Sequence, residues 1–355
     1  MKTVFEKTFL IIALCCFSIV GKSSNRYIVR HKRLKDGTSI IMLSDEKDGI
    51  EACVVPSKGG ELSSLRIFFH NQWHELLYRA LDYGNIKGWR GKAPLLWPAV
   101  GRNYASNTDE KNNKLSYLYH NQYYEIPIHG FARFCTWHVV RMYANHKKSE
   151  VILSMDDSQA SQDMYPFRFK VYVVYSITNG HYEAAYRIIA NKSNKGNMFF
   201  SIGNHITFNV PLIKNSQLDH CYFETPLTVQ YVQDDKGIPT GKTLQCNFMP
   251  KVPITDFKAH KSVSLGGSIK KNPWVKLYDP SGLSITLYQH AQSLPELPFV
   301  RFNIWGDTAA GYLSMEPWVG LQNSFNLHKG LIYLRPGQAW KWNLRIDINR
   351  IWHHR

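Results

Sequence analysis

Glu316 sits in Met315-Glu316-Pro317-Trp318-Val319-Gly320, at the end of the apolar stretch Leu313–Trp318, and is held before a proline. A carboxylate placed in such surroundings is a candidate general base. A histidine stands in a comparable context, in Ser201-Ile202-Gly203-Asn204-His205-Ile206-Thr207-Phe208, just after the apolar run Met198-Phe199-Phe200. Imidazole titrates near neutral pH and can give or take a proton. His129 precedes Gly130 in Ile128-His129-Gly130-Phe131-Ala132-Arg133, a pattern of a site loop more than of a core strand. Arg90 and Arg102 bracket the stiff stretch Gly91-Lys92-Ala93-Pro94-Leu95-Leu96-Trp97-Pro98-Ala99-Val100-Gly101. Their planar forks suit hydroxyls or phosphate, and Gly101 would let the backbone approach a ligand. The bland alternatives are a glutamate bonded to a backbone amide, histidines packed between strands, and arginines that bridge strands.

The elements that must position these residues read as strands. Phe167, Phe169, Val171, Val173, Tyr175 and Ile177 alternate onto one face, as do Tyr182, Ala184, Tyr186 and Ile188. The pattern returns in Leu283, Ile285 and Leu287 and in Trp342, Leu344, Ile346 and Ile348. Period-two alternation marks strands with one buried face. Asn179-Gly180 between two such runs is a strong hairpin signal. Asp279-Pro280-Ser281-Gly282 and Arg335-Pro336-Gly337 read as further turns. Long helical periodicity, internal repeats and low-complexity linkers are absent, and the polar residues 105–125 read as a long loop or excursion. The expected fold is all-β, one large antiparallel β-sandwich from about residue 25 to 350.

Composition agrees with a globular chain. Of 355 residues, 44% are hydrophobic and 20% charged, which excludes disorder, collagen and coiled coil. Aromatics reach 14%, which suits β-structure and flat polar ligands such as sugars. The net charge is +16, but the cations are dispersed and no zinc-finger, helix-turn-helix or RNA-binding signature occurs, so nucleic acid is not an expected partner. Residues 1–21 read as a secretory signal: Lys2 and Lys7 precede the apolar run 8–20, and Gly21 offers a small residue for cleavage. That run is short for a membrane span. The expectation is a secreted or periplasmic chain of residues 22–355 in one domain, with an uncleaved anchor as the alternative. Cys53, Cys135, Cys221 and Cys246 then remain, with their pairing open. Cys135 and His138 have ligand-like spacing, but no second pair completes a metal site.

Taken together and in order, the segments resemble the aldose 1-epimerase family, the galactose mutarotase-like proteins. Gly59-Gly60-Glu61-Leu62 resembles the family's first strand turn, and residues 90–102 its arginine- and proline-marked element. His129–Arg133 is similar to the HGFAR element of the lactose-operon-type and hexose-6-phosphate mutarotase branches. Gly203-Asn204-His205 and Glu316-Pro317-Trp318 match two further elements, and Leu334-Arg335-Pro336-Gly337-Gln338 the last turn. One departure is visible: Ile206-Thr207 follows His205 where the family usually has proline. The resemblance implies a galactose mutarotase-like supersandwich that interconverts the α and β anomers of a free hexose by acid/base ring opening, without metal or cofactor. It implies Glu316 as base and His205 as acid, with Arg90, Arg102, His129 and Arg133 on the sugar and Trp305 stacked on its face. The alternatives are a hexose-6-phosphate mutarotase and a non-catalytic carbohydrate-binding protein of the same fold.

Overall fold

The computed structural model describes residues 25–80, 91–267, 272–294 and 297–351. The proposed signal segment 1–21 and Arg90 lie outside the described residues. The protein is all-β, and its strands pair antiparallel in sheets of five, nine and eight strands with two short two-stranded ribbons. In the nine-stranded sheet Ala339–Arg350 lies between Leu283–Ala291 and His181–Ala190, and Phe169–Thr178 follows. The alternation read from the sequence sets the register: Thr178 pairs His181 across the turn, where Asn179 and Gly180 both have positive φ. Two left-handed residues give the tight hairpin its right-handed twist.

The inward faces of the nine- and eight-stranded sheets share one hydrophobic cluster. Val171, Val173, Ile188, Trp342 and Ile346 come from the first, and Phe302, Ile304, Leu313 and Met315 from the second. Trp97 anchors the segments that carry the candidate site. Its ring packs edge-on to Phe131, Tyr165 and Phe169. Its carbonyl accepts from the N–H groups of Phe131 and Ala132. The adjoining Pro98 carbonyl accepts from the Ser201 N–H, and Ser201 Oγ accepts from the Val100 N–H at 3.0 Å. Segments 94–102, 128–133 and 201–207 are thereby tied side by side behind one opening.

Residues 105–125, expected as a loop, contain the short helix Asn107–Lys111 and a hairpin of Ser116–Tyr119 with Gln122–Glu125. His120 and Asn121 make the turn with positive φ. Each strand is only four residues long, too short to display a period. Cys53, Cys135, Cys221 and Cys246 are all free thiols. Among the described residues no helix is long and apolar enough to cross a membrane.

Candidate functional site

The strand pair Val300–Asp307 and Tyr312–Val319 builds the floor of the site. Register places Arg301 opposite Trp318, Asn303 opposite Glu316 and Trp305 opposite Ser314. Because side chains alternate, these residues share one face, while Phe302, Ile304, Leu313 and Met315 enter the core from the other. The site face opens into a cavity of about 550 Å³. His205, Glu316, Arg102, His129, Arg133 and Trp305 all line it. Every expected site residue within the described chain therefore meets in one place.

Glu316 is 2% exposed. One carboxylate oxygen accepts from Trp318 Nε1 at 3.0 Å and the other from Asn303 Nδ2 at 3.4 Å. His205 Nε2 stands 3.6 Å from that second oxygen. Burial pushes the Glu316 carboxyl up to about 8, against the opposing pull of Asn303, Trp318 and Arg301. Burial brings the His205 imidazole down to about 4, and the nearby Arg133 charge acts in the same direction. Between those values the pair holds one proton, and burial, which disfavours both charged forms, keeps it on Glu316.

The non-reacting side of His205 is also fixed. Its Nδ1 lies 3.3 Å from Thr207 Oγ1, which is 2.8 Å from Ser314 Oγ. Thr207 stands in the Ile206-Thr207 step that follows His205, and its hydroxyl is the partner of the His205 ring. His129 approaches His205 edge-to-face at 5.7 Å between ring centres. His129 Nδ1 accepts from the Gly101 N–H at 3.0 Å, so its neutral ring carries its proton on Nε2. Burial, the neighbouring His205 and the two arginines hold its pKa well below the ordinary value, keeping it a neutral donor.

Gly101 serves the site differently from the sequence-based expectation. Its φ is +65°, and an added Cβ would lie 1.9 Å from Gln322 Cγ. The close approach is to Gln322, whose Oε1 accepts from the Arg102 N–H at 3.0 Å. Gly203 has an equivalent reason: a Cβ there would meet Trp318 Cδ1 at 2.7 Å. Arg102 Nη1 donates to the Lys236 carbonyl at 3.3 Å and Arg133 Nη2 to the Ile128 carbonyl at 3.3 Å. Neither guanidinium has a carboxylate partner among the described residues. Trp305 lies 5.8 Å from His205, ring centre to ring centre, at the cavity wall.

Sequence reasoning missed Asn303 and Gln322, gave Trp318 no role, and missed the loop residues Gln233–Gly237 and His260–Ser262 that form the mouth. Asn303 carried a legible signal, since it alternates with Trp305 on a strand whose other face is apolar. The mouth carried none, because its loops are remote in sequence and polar like any surface.

With this geometry in place, the comparison with known proteins decides the family. A profile of aldose 1-epimerase matches residues 43–347. The chain belongs to the aldose 1-epimerase family. Several solved structures share the epimerase fold. A galactose mutarotase-like protein from Clostridium acetobutylicum is 17% identical with a TM-score of 0.73, over 92% of this chain and 99% of that one. A galactose mutarotase-like protein from Lactobacillus casei is 21% identical with a TM-score of 0.66, over 91% and 100% of the two chains. Galactose 1-epimerase from Lactobacillus acidophilus is 13% identical with a TM-score of 0.67, over 92% and 99%. At these identities the likeness carries the fold alone. No curated protein matches the chain.

Proposed function

We propose that the protein is a cofactor-independent aldose 1-epimerase acting on a free hexose, exported through its N-terminal segment. The observation that carries the reading is the buried pair His205 and Glu316, 3.6 Å apart on the floor of a polar cavity and sharing one proton over a range that includes neutral pH. Mutarotation needs one group to protonate the ring oxygen while another takes the proton from the C1 hydroxyl. The ring opens, the C1–C2 bond rotates, and the two groups reverse roles to close it. The family resemblance gives Glu316 the base role and His205 the acid role, whereas burial keeps the proton on Glu316. The two arrangements differ by one proton transfer within the pair and have the same pH dependence, because only the pair's total protonation enters. Neutral His129 and Arg102 supply donors for sugar hydroxyls, and Trp305 offers a flat apolar wall.

A second reading, a hexose-phosphate mutarotase, is favoured by one observation: Arg102 and Arg133 line the cavity without a carboxylate partner among the described residues. Polarimetry separates the readings. Freshly dissolved α-D-glucose or α-D-galactose reaches its equilibrium rotation faster with the protein than without it. Acceleration confined to glucose 6-phosphate selects the second reading, and no acceleration of any of the three sugars overturns both.

A further inference from the structure

Arg301 is completely buried, yet it does not line the cavity. Its guanidinium carbon lies 4.4 Å from the centre of the Trp318 ring, directly across the strand pair. Nε donates to the Gly320 carbonyl at 2.8 Å and Nη1 donates to Ser264 Oγ. The remaining amino group, Nη2, has no hydrogen-bond partner among the described residues. Two neighbouring strands thus fix the plane of the guanidinium against the indole face, and the indole N–H is aimed at Glu316, 3.0 Å away. A charge buried in this way is costly unless something opposes it. Burial brings Arg301 down to about 9, and the acidic groups that oppose this are Glu316 and the phenol of Tyr231.

We propose that Arg301 is a positioning residue for Glu316: it clamps the Trp318 indole so that its N–H points at the carboxylate, and it stands behind that indole as a fixed positive charge. The inference rests on the reading of Glu316 as a proton-transfer group. Among the described residues, the groups facing Glu316 are few. His205 lies across the floor, Asn303 and Trp318 are neutral donors, and Arg301 is the cation behind Trp318. Arg133 acts on His205 and His129. Without Arg301 the burial of Glu316 is opposed, among the described residues, by the neutral donors Asn303 and Trp318, and its carboxyl moves further from the range in which it can exchange a proton near neutral pH.

The test is a pH titration of the Glu316 carboxyl by ¹³C NMR, together with the pH profile of kcat/KM, in the parent, Arg301→Met and Arg301→Lys. Arg301→Met raises both the Glu316 titration and the alkaline limb of the profile by about one pH unit or more. Arg301→Lys keeps the charge and returns the titration toward the parent's, but loses the planar stack, so the Trp318 indole N–H resonance shifts or broadens. A folded Arg301→Met protein whose Glu316 titrates as in the parent overturns the inference. If Arg301→Met does not fold, Arg301→Lys decides the clamp: a Trp318 indole N–H resonance in the parent's position overturns the inference. A parent with no mutarotase activity defeats the functional reading, yet the carboxyl titration still decides the role of Arg301.

Discussion

Two carboxylates in this molecule are both shielded from water, Glu316 more fully than Glu61, and have different surroundings. Glu61 pairs with Lys92 at 3.0 Å, with side chains 12% and 6% exposed. Burial pushes its carboxyl above the ordinary range against the pull of Lys92 and Arg79. Glu316 is pushed up by burial too, but the group that faces it is His205, a neutral base, and its opposing cation stands behind an indole. Neither Glu61 nor Lys92 lines the cavity, whereas His205 and Glu316 form its floor. Burial alone therefore does not mark a proton-transfer group. A permanent charge partner makes a structural pair, while a titratable partner that shares a cavity makes a pair able to pass one proton in either direction.

The largest expected effect breaks the cavity pair. Glu316→Gln and His205→Asn each lower kcat by about 10²–10⁴, the usual contribution of a positioned proton-transfer group. The double variant falls far short of the product of the two losses, because the groups act as a unit. Mutarotation kinetics alongside melting curves check this, and a loss of activity that only tracks a loss of fold contradicts it. The structural pair behaves in the opposite way. Lys92→Met leaves Glu61 as a buried carboxylate without its ion-pair partner and costs about 3–5 kcal/mol of stability in urea unfolding, with kcat per folded molecule unchanged. A stable Lys92→Met protein, or one that is folded and inactive, removes the contrast.

Arg102→Ala has a smaller effect and sharpens the division within the cavity. It raises KM about tenfold while lowering kcat less, as expected for binding that is uniform between ground and transition states. Equal constants for variant and parent place Arg102 outside the sugar's reach. The last difference appears in stability as a function of pH. The Glu316 carboxyl titrates near 8 when folded, above its ordinary 4.5, so its contribution is complete below about 4.5 and is lost as pH rises toward 8. Glu316→Gln does not titrate. Its melting temperature relative to the parent therefore climbs between pH 4.5 and 8 and then levels off. Parallel curves contradict the high folded-state value.

Much of this arrangement is legible in the sequence. Alternation marks the long strands and Asn179-Gly180 marks their turn, because both are local signals. His205, Glu316, His129 and Arg102 stand out because polar groups interrupt apolar or glycine-marked segments. Arg301 and Trp318 do not reveal their relation, since it exists only once the register of the strand pair sets them opposite each other. The role of Gly101 needs the same knowledge: the crowding comes from Gln322, more than two hundred residues away. The Ser116–Tyr119 hairpin is concealed by its short strands and its His-Asn turn. Thr207 carries no signal of its own in the sequence, and its role appears only when its hydroxyl is found beside the His205 ring.

The central claim is that one proton shared by His205 and Glu316 does the chemistry, and the pH profile of kcat/KM for mutarotation tests it most directly. The parent profile is bell-shaped, with an acid limb near 4 from His205 and an alkaline limb near 8 from Glu316. Residual activity in His205→Asn loses the acid limb, and residual activity in Glu316→Gln loses the alkaline one. A parent profile flat across both limbs contradicts the shared-proton account. So does a folded single variant that mutarotates hexose as fast as the parent.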